Sequence, residues 1–177
     1  MGNGVGGMRI SARFVSILGA WLAASGALAV LADSRSDRAI ELYEQTFGAE
    51  TPDSTKAREA LALWEELASE DPRAVFYLSA AYARGAPGIF ERDEARSLDL
   101  LMEAAEKGFP QAQFSLAWQY ESGALMPRDW KKALALYEKA AGEGHVFAIS
   151  RLIRVYSQGE LGVLPDDAKA NYWRARR

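Results

Sequence analysis

His145 is the only histidine of the 177 residues, and the chain has no cysteine. A zinc site needs three or four nitrogen, sulfur or carboxylate ligands, and a general base needs a group to orient it. One imidazole meets neither need. His145 directly follows Gly144 at the junction of two helical segments, which makes it a turn or cap residue near a helix C-terminus. Paired acids stand at Glu65-Glu66, Glu70-Asp71 and Asp166-Asp167. Glycoside hydrolysis needs two carboxyl groups facing each other across a cleft, whereas neighbours in sequence sit on solvated helix surfaces or at helix starts. No serine lies in a nucleophile-elbow pattern, and the glycines fall at turns rather than in a strand-to-helix phosphate loop. The residues therefore point to a protein that is not an enzyme, with no catalytic residue, no metal and no cofactor.

The spacing of apolar residues says more. Ala74, Leu78, Tyr82 and Gly85 recur as Ala112, Leu116, Tyr120 and Gly123, and again as Ala148, Leu152, Tyr156 and Gly159. An apolar residue at every fourth position marks one stripe of a helix, and the glycine marks its end. A unit recurring after 38 and then 36 residues is the mark of stacked helical hairpins.

The second helix of each hairpin repeats too. The run from Asp129 to Gly144 opens on a capping aspartate and passes through Lys132-Ala133, Tyr137 and Ala140-Ala141. Its counterparts run from Asp93 to Gly108 and from Asp166 to Trp173. The turns from Gly85, Gly123 and Gly159 to these aspartates span 8, 6 and 7 residues, so loop length accounts for the drifting period. A weaker copy precedes them. Ala60 to Ala68 mirrors Ala133 to Ala141, but Asp53, Lys56 and Ala57 echo Asp129, Lys132 and Ala133 three residues out of step. The partner helix of this copy is expected from Asp37 to Phe47, with Ile40, Tyr43 and Phe47 on one face and Gly48 at its end.

Taken together, the A-x3-L-x3-Y-x2-G helix, the capping Asp, Lys-Ala, an aromatic, Lys-Ala-Ala and the closing Gly resemble Sel1-like repeats, the SLR branch of the tetratricopeptide-like superfamily. The match is good from Ala74 to Trp173 and loose from Asp37 to Asp71. The resemblance implies an all-α fold, a right-handed α/α solenoid of about four helix-turn-helix repeats at 37–71, 72–109, 110–145 and 146–177. It also implies an adaptor that holds a protein partner. Some exported SLR proteins have been credited with acting on β-lactams or the cell wall, and a hydrolase is the alternative reading. Two departures stand out: Ser79 and Ile153 replace the small residue that Ala117 supplies beside the motif leucine, and no glycine closes the last unit.

Residues 1–32 read differently. Arg9 and Arg13 precede an uncharged run from Phe14 to Ala32, which ends in small residues at Ala27, Ala29 and Ala32. A basic start, an apolar core and a small-residue cleavage site make a secretory signal peptide, with an uncleaved anchor as the alternative. Met8 is a second candidate start. The expected location of residues 33–177 is the periplasm of a Gram-negative bacterium, or its inner membrane facing the periplasm if the leader stays. Loss of Arg9 and Arg13 takes the net charge from −3 to −5. A mildly acidic surface does not suit nucleic acid, which selects a basic stripe, so a protein or peptide of the cell envelope is the expected partner.

In such stacks the first helix of each pair lines the concave side, and residues two before and two after the motif leucine point away from the core. These are Phe76 and Ala80, Phe114 and Trp118, and Ser150 and Arg154. Phe114 and Trp118 are one turn apart and form a candidate docking pair, with Glu121, Arg84 and Arg154 as charges at its edges. Packing of these rings between neighbouring first helices is the competing structural reading.

Overall fold

A computed structural model of the protein describes residues 34–42, 45, 54–85 and 90–177. The signal-peptide reading of 1–32 lies outside them, as do Tyr43, Phe47, Gly48 and Asp53. Eight helices carry the described chain: α1 over 34–42, α2 Ser54–Leu67, α3 Pro72–Arg84, α4 Glu94–Glu106, α5 Pro110–Ser122, α6 Trp130–Gly142, α7 Val146–Gln158 and α8 Asp167–Arg174. From α2 onward each packs on the next in chain order. The result is a solenoid of helical hairpins, as the repeat pattern requires.

The core runs through the stack instead of sitting at one centre. Residues of α1, α2 and α3 share one buried cluster, α3, α4 and α5 a second, and α5 to α8 a third. No hairpin can cover its own apolar face, so each motif leucine is buried between copies: Leu78, Leu116 and Leu152 are all 5% exposed or less.

The turns that begin at Gly85, Gly123 and Gly159 share their closing contacts. Gly85, Gly123 and Gly159 take positive φ (69°, 72° and 72°), and their N–H groups donate to the carbonyls of Ala81, Gln119 and Val155. A Cβ at Gly159 would lie 2.7 Å from Pro165 Cδ, and one at Gly85 2.8 Å from the Arg92 nitrogen. Shape and conformation therefore both demand glycine there. The N–H of the capping aspartate then donates to the carbonyl of the motif tyrosine, Asp93 to Tyr82 at 2.9 Å, Asp129 to Tyr120 at 2.9 Å and Asp166 to Tyr156 at 2.7 Å. The aspartate carboxylates accept from the backbone N–H three residues on, at Arg96, Lys132 and Lys169. Those same side chains place their cations 4.1, 5.1 and 4.9 Å from the rings of Tyr82, Tyr120 and Tyr156. The basic residue of the repeat is thus held by the tyrosine of the preceding helix, and the turn closes alike whatever its length.

One departure from the repeat is compensated. Ser79 is buried and donates through Oγ to the Ser97 carbonyl at 2.8 Å, with the two hydroxyl oxygens 3.3 Å apart. The equivalent residues of the next copy, Ala117 and Ala133, are fully buried without any hydroxyl. Ser79→Ala should destabilise the fold by about 1 kcal/mol, because Ser97 loses its buried partner, and adding Ser97→Ala should restore most of that loss. Urea melts of both single variants and the double variant check this; strict additivity would refute the pairing.

The first hairpin resolves the register. Trp64 is fully buried, as is Tyr137, whereas Glu65 is exposed, so Ala60 aligns with Ala133 and the out-of-step alternative through Ala57 is set aside. Of the expected α1 face, only Ile40 lies among the described residues. The helix already runs at 34, and its buried residues are Ser36, Ala39 and Leu42, with Ile40 only half-buried at the rim. Leu42 packs with Trp64 and Leu78, and Ile40 packs against the same cluster from its edge. At the other end, Trp173 is not left uncovered: it is 8% exposed and joins the cluster of Ile149, Leu152 and Tyr156, while Tyr172 stays half-exposed.

Candidate functional site

The first helices α3, α5 and α7 present equivalent positions side by side, and the candidate residues fall on them with different fates. Phe76 is half-buried, its ring 5.4 Å from Phe109 and 5.6 Å from Tyr77. Phe114 is also half-buried, 4.7 Å from the His145 ring, 5.6 Å from Tyr137 and 6.2 Å from Phe147. Phe109 and His145 are the residues that precede α5 and α7, so each phenylalanine stacks on the entry ring of the next first helix. Packing thus accounts for the buried part of each ring, and the rest stays open to solvent. Trp118 differs: it is 51% exposed, at a position where the other copies carry Ala80 and Arg154.

The charged candidates also separate. Glu121 is half-buried and accepts from the Tyr137 hydroxyl at 2.7 Å and from Arg151 Nε at 3.1 Å. Burial alone would raise its carboxyl, but the hydrogen bonds from Arg151 and Tyr137 and the charges of Arg151 and Arg154 outweigh that and hold it below 4.5. Arg151 bridges Glu121 to Glu160, and Arg154 Nε reaches the other Glu160 oxygen at 3.3 Å. An alternating chain Glu121–Arg151–Glu160–Arg154 results, with its buried end at Glu121 and its exposed end at Arg154. Arg84 is exposed in the last turn of α3. Glu121 is thus engaged inside the fold, whereas Arg154 and Trp118 reach solvent.

Phe76, Ala80, Ser115, Leu125 and Gln119, the residue after Trp118, help to line a shallow cleft of about 200 Å³ between α3, α4 and α5. A second cleft of about 380 Å³ lies at the turn into α7, walled by Pro110, Glu143, His145 and Phe147.

His145, Asp71 and Asp166 have structural duties. His145 serves both helices at its junction: its N–H donates to the Ala140 carbonyl at the end of α6 at 3.0 Å, and its Nδ1 caps α7 by accepting from the Ala148 N–H at 3.2 Å. Burial lowers its pKa below 6.5, the direction that favours the neutral, accepting form of the ring. Glu65 and Glu66 are exposed on α2, and Asp166 caps α8. Asp71 is not on a solvated face: it is 8% exposed, caps α3 and holds the Arg73 guanidinium. Among the described residues no His, Cys, Asp and Glu cluster could hold a metal ion, and no helix is long and apolar enough to cross a membrane.

Arg151, Glu160 and Phe147 escape a reading based on the motif leucine because they lie outside its two-residue offsets. Comparison between copies could have found two of them. Arg151 stands where the other copies have Tyr77 and Ser115, and Phe147 where they have Arg73 and Gln111.

The architecture defines the class, and comparison with known proteins agrees. Residues 72–109, 110–145 and 148–173, more than half of the chain, match the Sel1 repeat. The chain belongs to the Sel1 repeat family. It is 40% identical over 82 residues to chitin synthase regulator SKT5 of Saccharomyces cerevisiae, covering 46% of this chain and 12% of that protein. It is 39% identical over 74 residues to the ERAD-associated E3 ubiquitin-protein ligase component HRD3 of Candida glabrata, covering 42% of this chain and 9% of that one. Over 79 residues it is 35% identical to cytochrome c oxidase assembly factor 7A of Xenopus laevis, covering 44% and 34% respectively. The matches thus span between 9% and 34% of these relatives' lengths. Among solved structures, a Sel1 repeat protein from Oxalobacter formigenes superposes with a TM-score of 0.66 at 28% identity, covering 81% of this chain and 56% of that one. A protective antigen of uropathogenic Escherichia coli with an SLR fold gives 0.58 at 25% identity, covering 76% and 28%. The protein is a Sel1-repeat helical scaffold.

Proposed function

We propose that the protein is an exported, non-enzymatic adaptor that holds a protein or peptide partner of the cell envelope on the face formed by α3, α5 and α7. The observation that carries this reading is Trp118. A tryptophan half-exposed on a repeat face, where its counterparts are alanine and arginine, contributes little to the stack. Large aromatics that remain open beside a cleft are the anchors that protein interfaces use. The relatives whose names describe a regulator, a ligase component and an assembly factor support a role in holding partners. The basic start and apolar run before Ala32 support export to the periplasm, with retention at the inner membrane if the leader is not removed.

Trp118→Ala should abolish capture of an envelope partner by the purified protein while leaving helical content and melting temperature unchanged, because the side chain leaves no buried cavity. Capture at full strength by this variant would refute the role of the face. Mass spectrometry of the N-terminus tests export separately, since an intact Arg9 means that the leader was not cleaved.

A further inference from the structure

The valley between α5 and α7 carries more information than its openness. Its two walls are joined from below by the Glu121–Arg151 pair and the Phe114–His145 stack. Along α7, Phe147 and Arg154 are seven residues apart, about 10 Å of helix. Phe147 is 70% exposed in the first turn, and its ring lies 6.2 Å from Phe114. Phe114 and Trp118 continue one turn apart on α5, and Arg154 occupies the position on α7 that Trp118 occupies on α5. The strip therefore carries Phe147 and Phe114 towards one end and Trp118 with the cation of Arg154 towards the other.

The charge at that end has a defined polarity. Arg151 is only 12% exposed on its side chain and is used on both sides by Glu121 and Glu160. Both Glu160 oxygens are used in turn, one by Arg151 and one by Arg154 Nε. The Arg154 side chain is 57% exposed, and its Nη1 and Nη2 have no partner among the described residues. What reaches solvent at the end of the strip is a guanidinium fork, the geometry that matches a carboxylate.

We propose that this valley binds an acidic amphipathic peptide segment, with apolar side chains along Phe147, Phe114 and Trp118 and a carboxylate closing on the Arg154 fork. This rests on the adaptor reading above and names the chemistry of its partner. The two or three apolar residues of the segment must precede or follow the acid within about 10 Å, one to two turns if helical and three residues if extended. A basic segment is disfavoured because it would set a cation against Arg154.

The test is a phage-displayed library of random dodecapeptides panned on the full chain, with Trp118→Ala, Arg154→Gln and Arg154→Glu compared by fluorescence anisotropy on the enriched peptides. Wild type should enrich apolar pairs flanked by Asp or Glu. Arg154→Gln should weaken such a peptide about tenfold. Arg154→Glu should weaken it further and gain affinity for the same peptide with Lys in place of the acid, a gain that a misfolded variant cannot show. Enrichment without acidic residues, or unchanged affinity in Arg154→Glu, overturns the proposal. Peptides that lose binding in Trp118→Ala yet show no acidic preference overturn this inference alone. Peptides indifferent to Trp118→Ala overturn the adaptor reading with it, and a library that enriches no peptide counts against both.

Discussion

Arg151→Met should lower the unfolding free energy by about 2–3 kcal/mol, although methionine retains most of the apolar stem. The loss comes from what is left behind. Glu121 and Glu160 would face each other across a partly buried site without their shared cation, and Tyr137 would donate to a carboxylate that has lost its main counter-charge. The pH dependence should change as well. A carboxyl held below its unfolded value of about 4.5 contributes stability that is present above that pH and is lost as pH falls through the folded value. Wild type should therefore weaken on acidification below about pH 4.5, and Arg151→Met should show a flatter acid limb because Glu121 returns towards its ordinary value. Urea melts between pH 3 and 7 measure both effects. Equal slopes in the two proteins would mean that the network contributes nothing to folding.

Trp64→Ala should be more damaging, at about 3–5 kcal/mol. Its indole is fully buried, stacks on Tyr77 with ring centroids 5.4 Å apart, and packs with Leu42, Leu67 and Leu78. It is the largest wholly buried side chain of the stack, and it joins α1 and α2 to α3. In a repeat array each hairpin is stabilised chiefly by its neighbours, so the damage should stay local. Thermal unfolding followed by circular dichroism should separate into an early step for α1 to α3 and a later one for α5 to α8. Trp64→Tyr should retain much more stability, since tyrosine fills the equivalent site at Tyr137. A single cooperative transition in Trp64→Ala at the wild-type temperature would contradict this account of the first hairpin.

The hairpin stack was legible in the sequence because its determinants are periodic. Leu78, Leu116 and Leu152 are buried, Gly85, Gly123 and Gly159 end the first helices with positive φ, and Asp93, Asp129 and Asp166 cap the second helices as their spacing implies. Periodicity assigns a residue to a face, however, and says nothing of the partner its polar end finds. The cations of Arg96, Lys132 and Lys169 over the tyrosine rings, the Ser79–Ser97 pair and the Arg151 bridge all depend on contacts between helices. The same limit applies to Phe114 and Trp118, which share one stripe. Their separation arises because the His145 ring stands opposite the first, and the position of that ring is set by how α7 enters the stack.

The central claim is that the first-helix face, rather than any reactive group, is the working surface. Site-specific incorporation of a photo-crosslinking amino acid tests it most directly, at Ala80 and Ser150 on the first helices and at Glu103 and Lys131 on the exposed sides of α4 and α6. The account predicts that irradiation in cells joins the partner to positions 80 and 150 and leaves 103 and 131 bare; crosslinks confined to 103 and 131 would contradict it.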